Sequence, residues 1–571
     1  MARPVTNKIR EYVVKVKKKN GDTYVIQRQA RYDPEKGYAV TLSERLIGKI
    51  PKGQTEIVPT RTKRKKADTD DLAGVGSEVS ASRSYVGMLE ILEWVGKTTG
   101  IDDAVRRAFP EEADALKAIS IARYLVASDG DSLPKIEEFC LMHKLPYNEG
   151  ISEDIYHDLF IQIGKNESII QKYNNERAKK LSNTDCIAFD TTTCSTYSNN
   201  IKQARYGYNK DEECLPCFKI VTIYSVKDKQ PIAFTTQPGN ISDVVSVTNA
   251  IKELDFLDVK NFTLLMDNGF YSEQNLLNLY YNSVNFLILA NKNIKFIKEQ
   301  IEDSISELGS GDSICRFDDD IHLTSKKIKR KFSGFIDDNK VELEKNINIH
   351  IYKSRDRAYL YTKKIDQKIL TVSNKIKNKF NDFSEDDEYI IKNFYSKEES
   401  DDGNYKYTFN NIAYLEKIKK SGVFVLVSNN FSDPNTALKW YRLRENIEDF
   451  FCMLKNNANG KRARVWSDEA IRGRLFVQFI ALNYYLFLYN KLDEVKNNLN
   501  SEMQKLDITK TTLSKLKNLY NWLAHKSLSQ ILIWLDCREE ITVKNSKGQS
   551  RWSSEITARD SLFLEKLGYS S

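Results

Sequence analysis

Near the amino end, Tyr12, Val14 and Val16 fall on one side of an alternating segment that breaks at Asn20-Gly21-Asp22 and resumes at Tyr24 and Ile26. Alternation around an Asn-Gly turn predicts a β-hairpin. From Gly53 to Gly76 the chain is polar, with the cationic run Arg61-Thr62-Lys63-Arg64-Lys65-Lys66. Past Ser82 the period lengthens: Met88, Leu89, Ile91, Leu92 and Val95 share a helical face, and further helices are expected over Ala113–Ala127 and Ile151–Ile163. Short apolar runs then predict strands at Cys186–Thr193, Phe218–Val226, Pro231–Thr236, Phe262–Asp267 and Phe286–Ala290. Helices are expected at Val244–Leu254 and Ser272–Tyr281.

Between Asn293 and Ser421 the chain is Lys-rich, and alternation at Ile347, Ile349 and Ile351, and again at Tyr359 and Tyr361, predicts exposed antiparallel strands. A buried strand at Val423–Val427 follows, then one helix from Pro434 to Asn457 closed by Gly460, then helices over Glu469–Leu492 and parts of Thr511–Leu535. The pattern divides the chain into a β unit (1–52), a basic linker (53–81), a separate α-helical domain (82–181), the first part of an α/β core (182–292), a β-rich insertion (293–421), the rest of the core (422–466) and a helical end (467–571). The core order, β-β-β-α-β-α-β, is that of a ribonuclease-H-like fold.

Composition narrows the classes. With 87 Lys and Arg against 79 Asp and Glu the net charge of +8 is modest for 571 residues, so the placement of charge carries more than its total. The first 60 residues hold no signal-length apolar run, and Leu475–Asn490, 16 residues with Gln478 and Asn483 inside, is shorter than a membrane span. Eight scattered cysteines fit free thiols of a reducing cytoplasm, and Cys214-Leu215-Pro216-Cys217 lacks the second pair that a structural zinc site needs.

Two aspartates sit on predicted strands, Asp190 in Ile187-Ala188-Phe189-Asp190 and Asp267 at the end of Leu264-Leu265-Met266-Asp267. A third carboxylate lies on the helix after Val423–Val427. At 100° per residue Tyr441, Arg444, Glu448 and Lys455 form a stripe about 60° wide, beside an apolar face of Leu443, Ile447, Phe450, Phe451 and Leu454. Periodicity alone favours the plainer reading, an amphipathic helix with a solvated charged face.

The spacing Tyr-x2-Arg-x3-Glu-x6-Lys resembles the signature of DDE insertion-sequence transposases of the insertion-sequence-four-like group. Four fixed positions match by chance about once in 10⁵ starts. Phe189-Asp190-Thr191-Thr192-Thr193 and Asp267-Asn268-Gly269-Phe270-Tyr271-Ser272 resemble that group's two aspartate blocks, although Asn268 and Phe270 stand where Arg and Tyr are frequent. Arg205–Asp211 and Pro238–Asp243 are also similar to stretches of the group.

The resemblance implies Asp190, Asp267 and Glu448 as catalytic and metal ligands, holding two Mg²⁺ ions with Mn²⁺ as a substitute. Asp190 would bridge the ions, with Asp267 and Glu448 each completing one site. An all-oxygen trio suits Mg²⁺, and none of the five histidines lies in these blocks. It further implies a cut-and-paste reaction through hairpin ends on double-stranded DNA, both element terminal repeats and target, by a homodimer beside the nucleoid of a prokaryotic cell. Tyr441, Arg444 and Lys455 would grip phosphates, with Lys461, Arg462 and Arg464 just beyond them. Arg61, Lys63, Arg64, Lys65 and Lys66 form either a DNA-contacting arm or a solvated linker. Two other readings share the same residues: a transposase-derived DNA-binding protein that no longer cuts, and a metal-dependent nuclease that does not join ends.

Overall fold

The computed structural model describes residues 9–18, 21–33, 38–58, 80–180, 186–210, 213–241, 247–249, 251–252, 262–378, 382–399, 405–458, 460–505, 508–545 and 548–569. The chain forms two compact units, Met1–Ser82 with Thr542–Arg551, and Arg83–Ile541 with Trp552–Ser571. The basic residues Arg61, Lys63, Arg64, Lys65 and Lys66 lie outside the described residues.

In the first unit β1 (Arg10–Lys17), β2 (Thr23–Asp33) and β3 (Tyr38–Ile50) make an antiparallel sheet in that order. Val14 faces Ile26 and Val16 faces Tyr24 across the expected hairpin. Gly21 has the positive φ of 90° that the connecting turn requires.

The second unit is built on a sheet of nine strands. After β4 (Ser80–Tyr85) and a run of helices come β5 (Cys186–Ser195), β6 (Cys217–Ser225), β7 (Gln230–Pro238), β8 (Thr263–Met266) and β9 (Asn285–Ala290). Later follow β10 (Ile314–Cys315), β11 (Asp318–Ile336), β12 (Asn339–Ser354), the separate hairpin of β13 (Tyr395–Glu399) and β14 (Tyr405–Phe409), and β15 (Val423–Ser428). The order across the sheet is β10-β11-β12-β15-β9-β8-β5-β6-β7. β8 runs parallel to both β5 and β9; the other neighbours are antiparallel. The helix expected at Val244–Leu254 falls mostly outside the described residues, of which 247–249 and 251–252 are helical.

Alternation along the strands sends side chains into two cores. Ile187, Phe189, Leu264, Met266, Phe286 and Ile288 enter one. Ala188, Leu265 and Leu287 enter the other, where Ile447, Phe450, Leu454, Phe476 and Ile480 cover the sheet. The helices Gly87–Thr99, Glu112–Ala127 and Glu153–Lys165 share this second core with Asp468–Met503, so the residues read as a separate helical domain bury their apolar faces in the same unit as the sheet. The apolar stretch Leu475–Asn490 is the middle of that long helix, and among the described residues no helix is long and apolar enough to cross a membrane.

Two expectations need correction. Tyr359 and Tyr361 are not on a strand but in the helix Arg355–Lys377. The deciding period is the longer one, since Tyr361, Ile365, Ile369, Val372 and Ile376 recur every three or four residues and pack with Ile390 and Phe394 in a small core of their own. The strands expected from Ile347–Ile351 are present, and β12 pairs with β15, so the Lys-rich region extends the central sheet. The second correction, a broken helix at Arg444, belongs to the site below.

The helices Glu153–Lys165 and Asp468–Met503 cross at two glycines. A Cβ on Gly164 would stand 1.8 Å from the Glu469 carbonyl oxygen, and one on Gly473 would stand 2.0 Å from that of Phe160. Both obstacles are backbone and cannot rotate away. Gly473→Ala therefore destabilises the protein by about 1–3 kcal/mol through overpacking, although alanine is the better helix former. The check is a lower urea midpoint with an unchanged slope; a higher midpoint would mean that the crossing is not tight.

Candidate active site

β5 and β8 are parallel, with Ala188 beside Leu265 and Phe189 beside Met266. The next position along each strand is Asp190 and Asp267. Because side chains alternate, both aspartates point to the side that Ala188 and Leu265 take, the one covered by the helix of Ile447, Phe450 and Leu454. Neighbouring strands lie about 4.8 Å apart, so the register alone brings the two carboxylates together. Phe189 and Phe270 pack edge to face on the opposite side, their centroids 5.1 Å apart, and fix the strand ends there.

Each aspartate is held by its own backbone. The Thr191 N–H donates to Asp190 Oδ1 at 2.7 Å, and the Asn268 N–H donates to Asp267 Oδ1 at 2.7 Å, capping a short 3₁₀ turn. The third carboxylate arrives on a helix that differs from expectation. In place of one helix over Pro434–Asn457 there are two, Pro434–Leu443 and Glu445–Asn456, meeting at Arg444. Bonds from Arg444 N–H to Tyr441 O (3.0 Å) and from Ile447 N–H to Arg444 O (2.9 Å) tighten the turn to three-residue spacing. The second helix ends at Asn456, capped by Asn457, and Gly460 returns its N–H to Leu454 O at 2.9 Å.

The junction drives a buried guanidinium between the acids. Arg444 Nη1 donates to Asp190 Oδ2 at 3.4 Å and Nη2 donates to Glu448 Oε1 at 2.7 Å. Tyr441 Oη donates to Asp267 Oδ1 at 3.2 Å, and the Arg444 guanidinium lies 5.5 Å from the Tyr441 ring. Lys210 Nζ stands 3.5 Å from Asp190 Oδ1 and also donates to the Thr191 carbonyl. Arg444 is buried with its Nε unpartnered, whereas the Glu448 side chain is 58% exposed and so remains open to solvent beside it.

These neighbours set the protonation. Burial pushes the Asp190 carboxyl above its ordinary value and the adjacent Asp267 adds to this, against the pull of Lys210, the Thr191 N–H and Arg444. Burial would lower Arg444, but the charges of Tyr441, Asp267 and Asp190 and the bond to Glu448 hold it above its ordinary value. Burial, then Asp267, raises Tyr441. Three carboxylates thus face two cations, Arg444 and Lys210.

The donor set is all oxygen, as Mg²⁺ prefers. Among the described residues, however, no three His, Cys, Asp or Glu side chains are gathered closely enough to hold a metal ion. Arg444 occupies the place between Asp190 and Glu448. The trio fits a divalent ion in chemistry and in placement on the fold, and fits it in full only with the guanidinium turned aside.

The remaining sequence candidates are distributed unevenly. Lys455 is half-buried near the end of the helix Glu445–Asn456. Arg462 is turned inward, forked onto Glu213 with Nη2 at 2.7 Å from Oε1, and its guanidinium lies over Tyr197. Lys461 is exposed, 3.9 Å from Glu213, and Arg464 is exposed with a left-handed φ of 48°. Cys214 is exposed and Cys217 is buried. Lys210 was not among the assigned residues. Its only signal was membership of the Arg205–Asp211 stretch, since no periodicity says that a loop will fold back over its own strand.

Comparison with known proteins bears on the whole arrangement. The family model described as Transposase DDE domain matches residues 182–484, a span that contains Asp190, Asp267, Tyr441, Arg444, Glu448 and Lys455. No curated protein matches the chain. Among solved structures, the cryo-EM structure of a piggyBac transposase synaptic complex with hairpin DNA is similar at 10% identity, covering 79% of this chain and 83% of that one with a TM-score of 0.36. The family match spans more than half of the chain, and the protein therefore belongs to the transposase DDE domain family.

Proposed function

We propose that this protein is a DNA transposase that cleaves the ends of its own element at Asp190, Asp267 and Glu448 and transfers the 3′ ends into target DNA. The observation that carries the reading is the register of β5 on β8, which sets two aspartates side by side beneath the helix that bears Glu448. The five strands β7-β6-β5-β8-β9, three antiparallel and then two added in parallel, support the ribonuclease-H-like reading of this core.

Two Mg²⁺ ions held by the trio, or Mn²⁺ in their place, would activate the attacking oxygen and stabilise the leaving one. The chain's own residues do the rest. Backbone N–H groups of Thr191 and Asn268 orient the two aspartates. Tyr441 and Arg444 offer a phenol and a guanidinium to a phosphate near the cut end, and Lys455, Lys461 and Arg464 add charge that positions the backbone without reading sequence. Arg462, committed to Glu213, serves the shape of the loop as well as the charge of the surface. Hairpin formation on the opposite strand, a homodimer joining two ends, and a place beside a prokaryotic nucleoid belong to the same proposal.

The Arg444 bridge favours one other reading, a DNA-binding protein of transposase descent in which the guanidinium keeps the acids neutralised and no cutting occurs. Incubating the protein with a duplex carrying its element's end, Mg²⁺ and a labelled 3′ strand separates the two. Nicking and hairpin products are expected from the native chain, and Glu448→Gln, Asp190→Asn and Asp267→Asn are each expected to fall below about a thousandth of it, as groups that act as a unit do. Tight binding without cleavage, in Mn²⁺ as well, would establish the second reading.

Asp190 also links charge to stability. A carboxyl whose folded pKa is raised contributes stability below its unfolded pKa, and that contribution is lost as pH rises through the folded value. Above that range the Asp190 carboxyl is therefore a net cost to folding. Asp190→Asn is expected to raise Tm at pH 7, with the gain vanishing in acid, while millimolar Mg²⁺ raises Tm of the native chain alone. An equal Mg²⁺ shift in both proteins would remove Asp190 from the metal site.

A further inference from the structure

The four most exposed aromatic side chains among the described residues are Tyr208, Tyr197, Tyr206 and Trp466, at 79, 74, 74 and 69%. They come from two short segments, 197–208 and 462–466, that the structure ties together beside the site. Ser195 pairs with Arg462, the Ala463 N–H donates to Ser195 O at 3.3 Å, and Ser198 Oγ donates to Trp466 O at 3.4 Å. The segment bearing the tyrosines is pinned to β5 by buried Asn209. Its Oδ1 accepts from Thr193 Oγ1 at 3.0 Å, its Nδ2 donates to Ser195 Oγ at 3.0 Å, and the next N–H, of Lys210, donates to Thr193 Oγ1 at 3.0 Å. Lys202 and Gln203 N–H groups reach the Asp468 carboxylate at 3.0 and 3.4 Å. The rings are therefore held out on a fixed backbone.

Large aromatic rings held in water by a fixed backbone cost free energy unless a partner covers them. The partner is named by what surrounds them: Lys202, Arg205, Lys210, Lys461 and Arg464 are all exposed within or immediately beside the same two segments. Aromatic faces interleaved with cations are the surface on which unpaired bases stack while the backbone is neutralised. Thr193, where the loop is anchored, is three residues beyond Asp190, about 10 Å along the strand.

We propose that Tyr197, Tyr206, Tyr208 and Trp466 form a stacking platform for unpaired DNA bases that flank the bond Asp190 serves. The inference rests on the DNA-transposase reading above and adds to it the form of the substrate, a duplex whose last bases are opened. Lys210, which touches Asp190 and lies two residues from Tyr208, joins platform and carboxylates.

The test uses the full chain and two labelled duplexes of one sequence, one blunt and one with three mismatched bases at an end, with 2-aminopurine at the middle mismatch. Fluorescence anisotropy should show tighter binding to the opened duplex, with the probe quenched. Trp466→Ala and the double variant Tyr206→Ala/Tyr208→Ala should each reduce that preference about tenfold or more, whereas Trp466→Phe and Tyr206→Phe/Tyr208→Phe should keep most of it. Equal binding of both duplexes by the native chain, or alanine variants that retain the preference, would overturn the platform and leave the transposase reading intact. Failure to bind either duplex would overturn both. Loss of self-association in the alanine variants, with their preference for the opened duplex intact, would assign the rings to a second copy of this chain instead.

Discussion

Three carboxylates cannot be brought to one side of a sheet without an answer to their mutual repulsion, and here the answer is one buried guanidinium. Arg444 reaches Asp190 with one arm and Glu448 with the other while Tyr441 holds Asp267. A charge cluster this far from water is costly to form, and removing the guanidinium would leave Asp190 facing the neighbouring carboxylates without it. Much of the surrounding architecture can be read as meeting that condition. The helix breaks where Arg444 must enter, the backbone of each aspartate donates to its own carboxylate, and Lys210 returns from a long loop to add a second cation.

The sheet does the placing. Parallel pairing of β5 with β8 leaves no freedom in which residues stand together, because a slip by one residue would turn every side chain to the wrong core. Phe189 and Met266 are committed to one core and Ala188 and Leu265 to the other, so Asp190 and Asp267 are aligned by the burial of their neighbours and not by any attraction of their own. Glu448 is placed by the same means at longer range, through Ile447, Phe450 and Leu454 beneath it. The acids thus inherit their positions from apolar residues, which lets the fold tolerate charges that oppose it.

The parts legible in the sequence were those whose signal is local. Asp190 and Asp267 each end or interrupt a short apolar run, and the Tyr441, Arg444, Glu448, Lys455 spacing is carried by one segment. What stayed hidden was set by contacts distant in sequence. The two-residue alternation of Tyr359 and Tyr361 suggested a strand, because a pair of residues cannot distinguish a period of two from a longer one until Ile365, Ile369 and Val372 are counted with it. The break at Arg444 has no proline or glycine to announce it; it follows from what the side chain must reach. Lys210 and Asn209 find β5 only because the chain turns back between Ser195 and Cys217, and the crossing of Gly164 with Gly473 joins segments about three hundred residues apart.

That division also separates two kinds of side chain around the carboxylates. Those on β5, β8 and the helix Glu445–Asn456 are fixed by burial and lose little order when a partner arrives, which suits groups that must meet a reacting phosphate within tenths of an ångström. The loop from 196 to 210 is fixed differently, by hydrogen bonds of Asn209 and Thr193 that hold its backbone while leaving Tyr206 and Tyr208 in water. Rings with two rotatable bonds on a pinned backbone give up little entropy on contact and demand little of the partner's sequence. On the reading proposed above, a rigid acidic centre bordered by a pinned aromatic rim would be specific about where a bond lies and permissive about which bases flank it.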